Sequence, residues 1–66
     1  MKKFSYEVVR NFINNYHNYS TGVLRMGQEF MNYFDIANED EIDNLFNVNN
    51  IKAEKIILAN YVDWEL

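Results

Sequence analysis

The sequence predicts an all-α protein: a compact bundle of three long helices plus one short helix, in a single helical domain over residues 1–66. Three observations predict it. Apolar residues recur at spacings of three and four along most of the chain, which is the period of a helix face. There is no proline and there are only two glycines, too few turn residues for a β fold. Apolar residues make up 48% of the chain and aromatics 17%, enough for a packed core rather than a disordered tail.

The first helix is expected from about Tyr6 to Tyr19. Ser5 is a suitable N-cap, since its hydroxyl accepts from a free amide of the first turn. Phe4 before the cap and Val9 inside the helix form a hydrophobic staple pattern. Phe4, Val8, Val9, Phe12, Ile13 and Tyr16 fall on one stripe; Arg10, Asn11, Asn14, Asn15 and Asn18 fall largely opposite. Asparagine is a mediocre helix former, so burial of the stripe must hold this helix.

The second helix is expected from about Gly22 to Asp35, capped by Ser20 or Thr21, with Val23, Leu24, Gly27, Phe30, Met31 and Phe34 as its stripe. Gly27 costs a helix interior roughly 1 kcal/mol relative to alanine. That loss implies close approach of another backbone, either the first helix or a second subunit. The third, short helix opens at Asn38 and ends near Asn47, with Glu41 reaching back to the cap and Ile42, Leu45 and Phe46 inward. Its acids complement the positive end of the helix dipole. The fourth runs from about Ile51 to Val62 behind an Asn49 or Asn50 cap. It is apolar on more than half its circumference, as suits a central helix or one covered by a partner. Trp64 either folds back on the core or stands as an exposed anchor.

Charge is distributed unevenly. The chain carries −4 overall. Residues 1–25 hold Lys2, Lys3, Arg10 and Arg25 against Glu7 alone, while nine acids and only Lys52 and Lys55 follow. A net acidic chain is poorly suited to nucleic acid, which is bound by releasing cations from phosphates. Its acidic part suits a partner protein with a basic surface. The residues expected to meet that partner are Glu29, Asp35, Glu39, Asp40, Asp43, Tyr33 and Trp64. The bland alternative for the acids is a solvated helix start. Exposed tyrosine and tryptophan are the usual anchors of protein interfaces, so Tyr6, Tyr19, Tyr33 and Trp64 are expected at a surface. A homodimer burying some of them is the second expectation.

Catalytic chemistry finds few residues here. There is no cysteine and one histidine, His17, so thiol–imidazole catalysis and a zinc cluster within one chain are excluded. Ser5 and Ser20 both read as caps, which leaves no serine nucleophile. No glycine-rich phosphate loop and no calcium-loop spacing occurs. No enzyme, cofactor or metal site is expected. No apolar run approaches the roughly 20 residues of a membrane span, and no signal-peptide pattern opens the chain. A cytoplasmic location is expected, with the lack of cysteine as its support.

The segment Arg25-x-Gly27-Gln28-x-Phe30-x-Asn32-x-Phe34, followed by Leu45-Phe46 and then Ala53 and Tyr61, resembles a pattern in short uncharacterised proteins of bacteriophages and prophages. The resemblance covers about residues 25–61 and carries no functional residues. It implies a setting: small acidic phage proteins bind and inhibit or modulate host proteins, including defence nucleases and transcription machinery, in the host cytoplasm. Two alternatives stay open. One is a structural, self-associating phage protein using the fourth helix and Trp64. The other is a small nucleic-acid-binding regulator using the basic N-terminal helix.

Overall fold

A computed structural model describes residues 3–36 and 42–65, without the side chains of residues 42 and 43. Strand β1 (Phe4–Ser5) leads directly into helix α1 (Tyr6–Tyr19). Helix α2 (Met26–Tyr33), the π-helical turn α3 (Ile42–Phe46), helix α4 (Asn50–Asn60) and strand β2 (Val62–Asp63) follow.

Helix α1 has the expected bounds, and Ser5 caps it by accepting from the Val8 amide at 3.4 Å. Val9, Phe12, Ile13 and Tyr16 are buried. Val8 is 44% exposed, so the buried stripe is narrower than the apolar pattern.

Helix α2 corrects the sequence reading most. It starts four residues later than expected, at Met26, because Gly22 stands at φ 80° in a turn and its amide donates to Ser20 Oγ at 3.2 Å. A left-handed residue interrupts helix geometry, and glycine occupies it without a Cβ clash. Ser20 does not cap α2; its amide closes α1 on the Tyr16 carbonyl at 3.0 Å. Val23, expected inward, is 82% exposed in this turn. The C-terminus of α2 is a Schellman motif. The Ile36 amide donates to the Met31 carbonyl at 2.9 Å, and the Asp35 amide to Asn32 at 3.4 Å. Asp35 holds the left-handed position of that motif at φ 54°.

Gly27 is the close approach that its cost implies, but the neighbour is neither α1 nor a second subunit. A Cβ there would strike the carbonyl oxygen of Leu45 and lie 2.9 Å from its carbonyl carbon. Leu45 is fully buried on α3. The expected cap Asn38 and its partner Glu41 lie outside the described residues.

The bundle of three long helices plus one short helix is not what forms. α1 has 14 residues, α4 has 11 and α2 only 8, and helices average about 11–12 residues in globular proteins. The chain also closes with a short two-strand sheet. β1 and β2 pair in parallel, Phe4 opposite Val62 and Ser5 opposite Asp63, and the Phe4 amide donates to the Tyr61 carbonyl at 2.8 Å. The helical pattern read through Val62 fails because α4 stops at Asn60, and Tyr61 and Val62 turn inward past its end.

Contacts fix the helix directions. Tyr16 near the end of α1 meets Leu24 just before α2, while Phe4 before α1 meets Phe34 just after α2. The two helices are therefore antiparallel. α4 begins beside Tyr16 and ends beside β1, so it runs parallel to α2. It touches α1, α2, α3 and β2, as a central helix does. Phe30 is the hub of the core. Its ring lies 6.2, 5.3, 4.6 and 5.2 Å from those of Phe4, Phe12, Phe34 and Tyr61. These spacings are within the range of favourable aromatic pairs.

Candidate functional site

The antiparallel pair α1 and α2 leaves a groove between them. On α1 Asn15 and Tyr16 each lie three or four positions from both Phe12 and Tyr19, so the four share a face. On α2 the corresponding face carries Glu29, Asn32 and Tyr33. One hollow of about 280 Å³ holds Phe12, Tyr19, Glu29 and Tyr33, with Ser20 and Thr21 at one end. A second, of about 320 Å³, shares Phe12, Glu29 and Tyr33 and extends to Leu24 and Asn32. The two share these side chains and together make up the groove, each at the small end of ligand-pocket sizes.

Its walls are aromatic and exposed. Tyr19 is 78% exposed and Tyr33 71%. Tyr33 is propped against Phe12 and Phe34, with ring centroids 5.6 and 4.8 Å away. Glu29 is half-buried, and no side-chain hydrogen bond or ion pair holds it among the described residues. No lysine, arginine or histidine lines either hollow among those residues. The groove thus combines aromatic rings and neutral polar side chains with one carboxylate that has no cationic partner among the described residues.

A hydrogen-bonded frame sets one end of this groove. The buried Tyr16 hydroxyl donates to the Leu24 carbonyl at 2.8 Å and accepts from Asn50 Nδ2 at 3.2 Å. Asn50 Oδ1 in turn accepts from the Met26 amide at 2.9 Å. Nearby, Gln28 Oε1 accepts from the Arg25 amide at 3.3 Å, and Arg25 Nη1 donates to the Asn47 carbonyl at 3.2 Å. Sequence reasoning treated Asn50 only as a cap for its own helix and missed this frame.

Of the residues expected to meet a partner, the structure brings together Glu29 and Tyr33. Tyr19 and Phe12 join them; the sequence reading had Tyr19 at a surface and Phe12 on the core stripe, and did not group the two. Asp35 is taken up by the turn after α2. Glu39, Asp40 and the side chain of Asp43 lie outside the described residues. Trp64 sits elsewhere: its indole is 62% exposed, stacks on Tyr6 at 5.1 Å and donates from Nε1 to the Leu58 carbonyl at 3.3 Å. Tyr6 and Tyr19 are the first and last residues of α1, so at 1.5 Å per residue they lie about 20 Å apart along its axis.

Several other polar groups are engaged elsewhere. His17 Nε2 and Glu54 Oε1 meet at 2.9 Å on the surface between α1 and α4. Ser5 and Ser20 hydroxyls accept from backbone amides. Arg10 lies over the Tyr6 ring at 6.0 Å, whereas Arg25 is at the Asn47 end of α2, so these cations do not gather on one face. Among the described residues, no three acidic or histidine side chains group as metal ligands would. No described helix is long and apolar enough to cross a membrane.

Compared with protein-family models, with curated proteins and with solved structures, the chain gives no match.

Proposed function

We propose that this chain is a small acidic protein-binding module, and that the groove between α1 and α2 is where it holds its partner. The observation that supports this is the conjunction at one place of two exposed tyrosines, the Phe12 ring and a Glu29 that has no side-chain partner among the described residues. Aromatic side chains in partly desolvated hollows supply most of the affinity at interfaces. A lone carboxylate supplies on-rate and orientation toward a basic partner. The acidic balance of residues 26–66 extends the same attraction beyond the groove.

The proposal sets the module in the cytoplasm on its cysteine-free composition. The resemblance of the Arg25–Phe34 segment adds a phage or prophage setting with a host protein as target, and that part stands on the resemblance alone. The test is selection from a displayed peptide library against the chain, repeated with Tyr33→Ser and Glu29→Lys. Enriched peptides that lose binding to both variants support the proposal. Selection that enriches nothing sensitive to either variant overturns it.

A second reading is self-association through the corner where the exposed Trp64 stacks on Tyr6. Sedimentation over a range of concentrations decides it: a monomer at every concentration removes this reading.

A further inference from the structure

The groove narrows the chemistry of what it holds. Phe12, Tyr19 and Tyr33 give it aromatic surface, Asn15, Ser20 and Thr21 add neutral polar groups, and its charge is the single carboxylate of Glu29. An anion would be repelled by that carboxylate. A purely apolar side chain would fill the trough but strip water from Glu29 without replacing the lost hydrogen bonds, which is unfavourable for a buried charge. A long cationic side chain satisfies both parts. Its methylene stem covers apolar surface while its charged head reaches a polar group, the arrangement lysine and arginine adopt at mixed surfaces. The faces of tyrosine rings also attract cations, more strongly once water is displaced.

Resting on the binding-module reading above, we infer that the α1–α2 groove reads one cationic side chain of the partner, lysine or arginine, by ion pairing with Glu29 between the rings of Tyr19 and Tyr33. Charge complementarity selects this occupant: among the described residues no cation lines the groove, and Glu29 has no side-chain partner. Tyr33 is held in place by Phe12 and Phe34, so little ordering is needed at that wall. Tyr19 has no ring partner among the described residues, which leaves its face open to a cation.

The experiment uses the intact chain and three small probes: the Nα-acetyl methyl amides of lysine, arginine and norleucine. Norleucine keeps the stem and lacks the charge. Binding is followed by chemical shift changes at Tyr19, Glu29 and Tyr33. The expected result is saturable binding of lysine, arginine or both, at least tenfold tighter than norleucine. Glu29→Gln should remove that margin while the rest of its spectrum stays unchanged. Tyr33→Ala should weaken the cation and norleucine together. The comparison of the two cations names which head group the site takes. Equal binding of norleucine, no saturation by any probe, or cation binding unaffected by Glu29→Gln overturns the inference. Groove resonances that move when the protein alone is diluted would give the site to a second copy and also overturn it. Library peptides that need Tyr33 but lack lysine and arginine would overturn this inference while leaving the binding-module reading intact.

Discussion

Asn50 caps a helix to which it does not belong. Its side-chain oxygen accepts the Met26 amide at 2.9 Å, across 24 positions of sequence. The first amides of any helix have no partner within the helix. In α4 that need is met locally, since Asn49 Oδ1 accepts from the Lys52 amide at 2.8 Å. In α2 it is met from another element, and the same Asn50 side chain donates to the Tyr16 hydroxyl at 3.2 Å. One amide group therefore ties the end of α1 to the starts of α2 and α4, at the end of the groove where Leu24 lies.

Asn50→Ala should destabilise the fold by about 1–2 kcal/mol, the loss of a cap and of one side-chain hydrogen bond. For a domain of this size each kcal/mol lowers the melting temperature by roughly 4–8 °C. Asn50→Asp keeps the acceptor for Met26 but has no donor for Tyr16, so it should recover part of the loss. Thermal melts of the three proteins check the order. Equal melting of Asn50→Ala and the parent would show that the frame contributes nothing.

Gly27→Ala tests the approach of α3. In an exposed helix interior this change gains about 1 kcal/mol. Here the new methyl group meets the carbonyl of Leu45, a backbone atom that no rotamer change can move aside. Overpacking of this kind typically costs about 1–3 kcal/mol, and the upper end is expected. Denaturant unfolding should show a lower midpoint. A higher midpoint would mean that α3 does not rest on α2 at this position.

Helix α1 was legible because everything that makes it is local. Ser5, Val9, Phe12, Ile13 and Tyr16 lie within four turns, and cap and stripe agree. α2 was legible only in its middle. Its start depends on Asn50, and its late onset on the φ 80° of Gly22, neither of which a local pattern reveals. The pairing of Phe4 with Val62 joins the two ends of the chain, and two-residue strands are too short for alternation to appear. Of the groove, the exposure of Tyr19 and Tyr33 and the partner-facing place of Glu29 were expected singly, but their grouping was not. That Phe12 and Tyr19 face Glu29 and Tyr33 across α1 and α2 follows from the antiparallel packing, which spacing does not specify. The reading of Trp64 left a core residue and an exposed anchor open; the structure puts the indole at the surface, bonded to Leu58 and stacked on Tyr6.

The backbone of Asp35 has a structural role that can be tested apart from its charge. It occupies the left-handed position that glycine takes in most Schellman motifs, at φ 54°. It also places a negative charge at the negative end of a helix dipole. Asp35→Gly should therefore raise stability by about 0.5–1 kcal/mol. Asp35→Val should lower it, because a β-branched residue is strained at positive φ. Melting temperatures give the sign. If Asp35 acts only in the turn, Asp35→Gly should leave peptide binding at the groove unchanged; a clear loss of affinity would return Asp35 to the binding surface.

Trp64 offers an internal reporter, since it is the one tryptophan in the chain. Its ring is fixed at two points, by Tyr6 at 5.1 Å and by the hydrogen bond to Leu58 at 3.3 Å. Tyr6→Ala removes one of them and should change indole emission and its anisotropy, while stability falls by only about 1 kcal/mol for an exposed aromatic pair. Trp64 also lies at the opposite end of α1 from Tyr19, about 20 Å along the axis. A cation or peptide seated in the groove should then leave directly excited indole emission unchanged, even at saturation. Quenching that tracks occupancy would place the ligand at the Tyr6–Trp64 corner instead, and would favour that corner over the groove as the surface this protein uses.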